Sequence, residues 1–266
     1  EYYTTNRTAT IKIKEHNFRA DDVVVTVYAK DVMGNNIQVG ELKFNEDGKV
    51  NEYLENEYLE KGCDRENWSK YDDVDSLRRN DDTFELVLDY TAEANYTFDI
   101  EYADLAKNSA EDYAADEFTI DRTKPECVEV KYSETVDGKN VIEKLLNTIT
   151  FGAIYYNEQM EVTITAKDDI SGINHFVYSY ETNDDVSKVN AELLNQTIAE
   201  ALENSPIVLD KDSGNFTAKF NIPKKALTDL NQFNGTVHFT AYDRSGNESD
   251  RFSGESTIVV DNIKPT

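Results

Sequence analysis

Apolar side chains fall on every second position through much of this chain, and that period of two sets the class of fold. Ala9, Ile11 and Ile13 alternate with Thr10, Lys12 and Lys14; Phe84, Leu86 and Leu88 alternate with Glu85 and Asp89; Tyr96, Phe98, Ile100 and Tyr102 alternate with Thr97, Asp99 and Glu101. The pattern returns in Val128, Val130 and Tyr132, in Phe216, Ala218 and Phe220, and in Val237, Phe239 and Ala241. A strand turns successive side chains to opposite faces, so each segment has one face for a core and one for water. Sheets of that kind are antiparallel and stack in pairs, which predicts an all-β chain built of β-sandwiches. Two stretches carry helical spacing instead: "NEYLENEYLEK" from Asn51 and "SKVNAELLNQTIAEALENS" from Ser187. They predict a short helix inserted among the strands of each half.

The punctuation between strands occurs twice. "EFTIDRTKP" runs a strand through Asp121 into Pro125, and "STIVVDNIKPT" runs another through Asp261 into Pro265. Upstream of each stands an Asp followed four residues later by Asn, at Asp104 and Asn108 and again at Asp243 and Asn247. Further back, "YYTTNRTATIKIKE" from Tyr2 aligns without a gap with "YYNEQMEVTITAKD" from Tyr155. Recurrence of several features in one order marks a tandem repeat with long insertions. The halves are residues 1–124 and 125–266, each large enough to bury its own core. The Asp and Asn pairs read as turns closed by side-chain hydrogen bonds. Pro125 fixes its own φ and pushes Lys124 towards extended backbone, so the joint is restricted.

Charge removes several partners. Lys and Arg total 27 against 53 Asp and Glu, a formal net charge of -26. Such a surface repels phosphate backbones and anionic lipid, which argues against nucleic acid and against membrane insertion of this segment. The longest apolar run, "VVVTVYA", is strand-sized. The chain reads as a segment of a longer series of modules, with adjoining domains of the same protein as neighbours.

Enzymatic chemistry has little to stand on. His16 lies in a turn, His175 beside Phe176 and His238 on the polar face of its strand; none forms a sequence pattern with a nucleophile. No phosphate loop, HExxH or CxxC occurs, so no catalytic or cofactor-binding residue is assigned. The acidic runs "DVDSLRRNDD" and "AKDDISG", with Asp121 and Asp261, offer hard oxygen ligands and raise calcium as a cofactor; turn and cap roles account for the same residues. A Lys131–Asn262 isopeptide bond is disfavoured because alternation turns Lys131 to water. The sequons at Asn6, Asn67, Asn95, Asn195, Asn215, Asn234 and Asn247 read as chance in an Asn- and Thr-rich chain. Trp68 reads as a core residue. Cys63 and Cys127, the two cysteines, are compatible with one disulfide clamping the joint between the halves, the alternative being two free thiols.

The run "YYTTNRTATIKIKEHNFRADDVVVTV", then "NWSKYDD" and "NYTFDIEYADLAKNSAEDYAADEFTIDRTKP", resembles the bacterial immunoglobulin-like repeats of large Gram-positive cell-surface proteins of the adhesin type. The second half is similar to looser relatives through "TAKDDISGI", "TAYDRSGNES" and "VVDNIKP". The resemblance implies two tandem immunoglobulin-like sandwiches, an extracellular protein anchored at the cell wall, and a first half whose opening strand precedes the Tyr-Tyr pair, as "CVEVKYS" does in the second. It implies a non-catalytic adhesin or spacer segment that binds a host or matrix protein or glycoprotein. The alternative is a dedicated host-protein-binding module, such as one that captures immunoglobulin. The inserts at 45–82 and 181–212 discriminate, since a binding insert presents an apolar patch to solvent.

Overall fold

In the computed structural model the described residues are all except 54–62, 65–66, 72–81, 112–116, 135–152, 157–159, 183–190, 194–195, 204, 223–231, 255–256 and 262–266. They are mostly strand with almost no helix, an all-β pattern. It divides into two compact units, Glu1–Arg122 and Thr123–Thr266. Among the described residues no helix is long and apolar enough to cross a membrane.

The first unit contains β1 (Tyr2–Tyr3), β2 (Arg7–Lys14), β3 (Val23–Lys30), β4 (Asn36–Phe44), β5 (Val50–Tyr53), β6 (Cys63–Asp64), β7 (Ser69–Tyr71), β8 (Thr83–Tyr90), β9 (Ala94–Tyr102) and β10 (Phe118–Ile120). One sheet runs β1-β10-β9-β3-β4-β5; the other runs β2-β8-β6, with β7 also on β8. The alternating segments read from the sequence are β2, β8 and β9. β3 reads "VVVTVYAK", apolar at almost every position, because it lies between β9 and β4 at the middle of its sheet. The inner faces of the two sheets meet in one core, in which Val23, Val25, Leu42, Leu86, Leu88, Tyr90 and Ile120 are buried. Trp68 belongs to it, with Phe18 at 5.1 Å and Phe44 at 5.8 Å between ring centroids. Tyr90 is ringed by Tyr96, Phe98 and Phe118 at 4.8–6.1 Å.

The second unit contains β11 (Glu126–Glu134), β12 (Ala153–Tyr156), β13 (Met160–Lys167), β14 (Ile173–Thr182), β15 (Ala191–Leu193), α1 (Ile198–Leu202), β16 (Ile207–Leu209), β17 (Asn215–Ile222), β18 (Gln232–Asp243), β19 (Phe252–Ser253) and β20 (Thr257–Asp261). Its sheets run β11-β13-β17-β16 and β12-β20-β18-β14-β15, with β19 on β18. Val162, Ile164, Ala166, Phe176, Phe216, Val237, Phe239 and Ala241 are among its buried residues. The repeated Tyr-Tyr makes the same pairing in both units. Tyr2 and Tyr3 run parallel to Thr119 and Ile120, and Tyr155 and Tyr156 run parallel to Val259 and Val260.

Three expectations change. The helix expected from Ser187 is confined to Ile198–Leu202, started by a capping box in which the Thr197 N–H donates to Glu200 Oε2 (2.7 Å) and the Glu200 N–H to Thr197 Oγ1 (3.2 Å). Ala191–Leu193 is instead a strand, because the edge of β14 offers it a ladder at Phe176–Tyr178. Of the helix expected from Asn51, residues 51–53 are extended against β4 and the remainder lies outside the described residues. Val128, expected inward, is 47% exposed, since a bulge between Cys127 and Glu129 shifts the register against β13.

Leu88 is fully buried between the sheets of the first unit. Leu88→Ala is therefore expected to lower the stability of that unit by about 2–5 kcal/mol. Differential scanning calorimetry should show its transition shift down while that of the second unit stays in place.

Candidate functional site

The residues that recur in both units form a turn, and its chemistry begins with backbone groups that a tight reversal leaves without ladder partners. After β9, the Asp104 N–H donates to Asn108 O (3.0 Å) and the Lys107 N–H to Asp104 O (2.8 Å). The Asp104 carboxylate then accepts from the Asn108 N–H and from Asn108 Nδ2, both at 2.8 Å. After β18 the same bonds recur: Asp243 accepts from the Asn247 N–H at 2.8 Å and from Nδ2 at 2.7 Å. The residue before each Asn is left-handed, Lys107 at φ 65° and Gly246 at φ 88°. This is the three-residue hairpin in which a type I turn runs into an αL position. Asp104 and Asn108, and Asp243 and Asn247, thus fill the turn role expected of them.

Two further copies escaped the sequence reading. Between β3 and β4, Asp31 accepts from the Asn35 N–H (2.9 Å) and Nδ2 (3.0 Å), with Gly34 at φ 80°. Between β4 and β5, Asn45 Oδ1 accepts from the Lys49 N–H (2.9 Å), with Gly48 at φ 78°. The signal was present. "DVMGN" at 31–35 has the spacing of "DRSGN" at 243–247.

One end of the second unit concentrates buried polar groups. Asp168 Oδ1 accepts from the Ile170 N–H (3.2 Å) and the Gly172 N–H (2.6 Å), closing the loop after β13. Asp168 is 5% exposed and Asp243 1%, and ligand oxygens of the two carboxylates lie within 4.8 Å of each other. Arg244 sews this end together: its Nε donates to Gln196 O (2.9 Å), an Nη to Ser171 O (3.0 Å), and its N–H to Gly172 O (3.1 Å). Calcium takes about six to eight oxygens. Asp168 and Asp243 are the buried carboxylates of this unit among the described residues, and they accept from loop N–H and amide groups.

The remaining predicted positions are placed as follows. Asp121 is buried and its N–H donates to Tyr3 O (2.9 Å), continuing the β1–β10 ladder. Pro125 is buried, and Lys124 beside it makes an exposed ion pair with Asp250 (3.2 Å), a contact worth little in water. Asp261 ends β20 opposite Gln232, while Pro265 and Asn262 lie outside the described residues. Lys131 is exposed and pairs with Glu129 (2.7 Å). Cys127 is a free cysteine, so the expected bridge to Cys63 is not seen. The bulge turns Cys127 inward, where its Sγ sits 3.6 Å from Ser249 Oγ; the side chain of Cys63 lies outside the described residues. His16 faces Asp82 at 3.5 Å, and His175 stacks flat on Tyr242 with centroids 4.7 Å apart.

No family model matches the chain, and no curated protein matches it.

Donation from the Asn108 side chain, then from the Asn108 and Ala106 N–H groups, holds the Asp104 carboxyl below the ordinary carboxylate range. Its stabilisation is thus present above the unfolded-state pKa and lost as pH falls through the lower folded value. NMR titration of the Asp104 carboxyl should show a depressed midpoint, and Asn108→Ala should move that midpoint back up. Burial pushes the Cys127 thiol up, against a smaller opposing effect of Ser249. Maleimide should therefore label Cys127 slowly in the native chain and rapidly after denaturation. Equal rates in both states would show an open thiol.

Proposed function

We propose that this chain is a non-catalytic segment of a cell-surface protein, built of two immunoglobulin-like sandwich modules in series that carry more distal parts of the protein away from the cell wall. The observation behind this reading is duplication. Both units pair a Tyr-Tyr strand in parallel with the unit's last strand, and both close β9 or β18 with the same Asp and Asn hairpin. A unit repeated with its turns intact is a means of adding length, and function on such scaffolds resides in sites grafted onto them. The net charge of -26 supports an exposed, self-repelling surface that stays apart from its neighbours. The extracellular setting and the adhesin context come from the resemblance in sequence motifs. On this reading the modules position binding elements, and a host or matrix glycoprotein, immunoglobulin included, is met by other parts of the protein.

Immobilised residues 1–266 challenged with host secretions containing immunoglobulin, mucin and matrix proteins provide the test. Retention should not exceed that of a sandwich domain of matched charge. Saturable capture of immunoglobulin or of a glycoprotein would replace the spacer reading with a dedicated binding module.

A further inference from the structure

The hairpin between β4 and β5 departs from the other three copies of its turn. It sets an aspartate before the left-handed position, Asp47 before Gly48, where those have Met33, Ala106 and Ser245. It is also built over by another part of the chain. A Cβ at Gly48 would fall 3.0 Å from Trp68 Cβ and 3.1 Å from Trp68 O, whereas Gly34 and Gly246 have nothing within 4 Å. The Trp68 N–H donates to Gly48 O (2.9 Å), and its indole is buried against Phe18 and Phe44. The chain's only tryptophan thus rests on the residue that follows Asp47.

An aspartate followed by glycine can rearrange its own backbone, because glycine has no side chain to shield its nitrogen. The Gly48 nitrogen attacks Asp47 Cγ: the N–Cγ bond forms, the Cγ–O bond breaks, and the carboxyl OH and the amide proton leave as water. Water then opens the cyclic imide at the former Asp47 carbonyl, giving OH to that carbon and a proton to the Gly48 nitrogen as their bond breaks. The peptide link now runs through Cβ and Cγ and is one backbone atom longer, with no change of mass. The closed hairpin opposes the first step. Its Gly48 N–H is held by Asn45 O (2.9 Å), and Asn45 Oδ1 holds the Asp47 N–H (3.1 Å) and the Lys49 N–H (2.9 Å), so the nitrogen is not free to turn onto Cγ. Asp47 is exposed, so water reaches the reacting group.

We propose that Asp47–Gly48 is a site of isoaspartate formation gated by the opening of this hairpin, and that the modified chain loses the seat of Trp68. The added backbone atom displaces Gly48 O from the Trp68 N–H and the glycine from Trp68 Cβ, so an event at the surface reaches the core. The inference is independent of the spacer reading, because it rests on one turn and not on what the protein meets.

For the test, residues 1–266 are aged at neutral pH, both folded and in guanidinium. Isoaspartate is located by peptide mapping, which separates this site from Asp137–Gly138, the chain's other Asp-Gly pair. At position 47 it should form about tenfold or more slowly in the folded chain than in the unfolded one, because the hairpin must open first. Asn45→Ala should speed it severalfold in the folded chain and leave the unfolded rate unchanged. Asn45→Asp should keep the protection, since Asp31, Asp104 and Asp243 hold the same place in the other copies. The modified chain, separated by chromatography, should show red-shifted Trp68 emission and faster exchange of the Trp68 amide. Equal rates in the folded and unfolded parent chain would overturn the gating, as would an unaltered rate in folded Asn45→Ala; if that variant does not fold, the parent comparison decides. Unchanged Trp68 emission after modification would overturn the link to the core, and absence of isoaspartate at 47 in the unfolded chain would remove the site.

Discussion

Two half-apolar sheets can be stable in water only by closing on each other, and that constraint governs both units. A strand with period-two alternation buries one face at a time, so a single sheet leaves its apolar face wet. The second sheet removes that face from water. In the first unit Leu86, Leu88 and Tyr90 from one sheet meet Val23, Val25, Leu42 and Ile120 from the other. Everything else serves the closure. In each unit the parallel Tyr-Tyr strand ties the last strand into its sheet, and tight hairpins return several strands without spending apolar residues on a loop.

The hairpins also account for part of an unusual composition. Asp31, Asp104, Asp168, Asp210 and Asp243 each accept backbone N–H groups at a reversal of the chain. An anionic acceptor is a stronger partner for a turn N–H than a neutral one. Acidity therefore has two physical origins here: some carboxylates are built into turns, and the rest project from the solvated faces of the strands. Lys12 opposite Glu85 shows the second kind, a surface pair contributing little to stability.

Much of the fold was legible because alternation is a local signal. β2, β8, β9, β17 and β18 lie where period two places them, and the repeat of Tyr-Tyr and of Asp and Asn located corresponding elements in both units. What escaped notice depends on partners far along the chain. The bulge that exposes Val128 follows from register with β13, and a strand at Ala191–Leu193 exists because the edge of β14 is there to receive it. Helical spacing around Leu193 reports only local preference, which tertiary pairing overrides. Nothing local marks Arg244, which reaches Gln196 and Ser171, neither of which is near it in sequence. The Asp31 hairpin was readable in principle; it lay outside the repeat that drew attention to its counterparts.

The parallel pairing of the Tyr-Tyr strand with the last strand of each unit has a mechanical meaning. When tension reaches the Tyr-Tyr strand from its first residue and the last strand from its end, the two parallel neighbours slide past each other and their hydrogen bonds are loaded together. Antiparallel neighbours would be peeled apart one bond at a time. That pair resists a stretching load in shear; in the second unit β11 precedes it and pairs antiparallel with β13. The clamp spans Ala153–Tyr156 against Thr257–Val260 in the second unit but only Tyr2–Tyr3 against Thr119–Ile120 in the first. Under the same pull on both pairs, the shorter clamp has fewer hydrogen bonds over which to share the load.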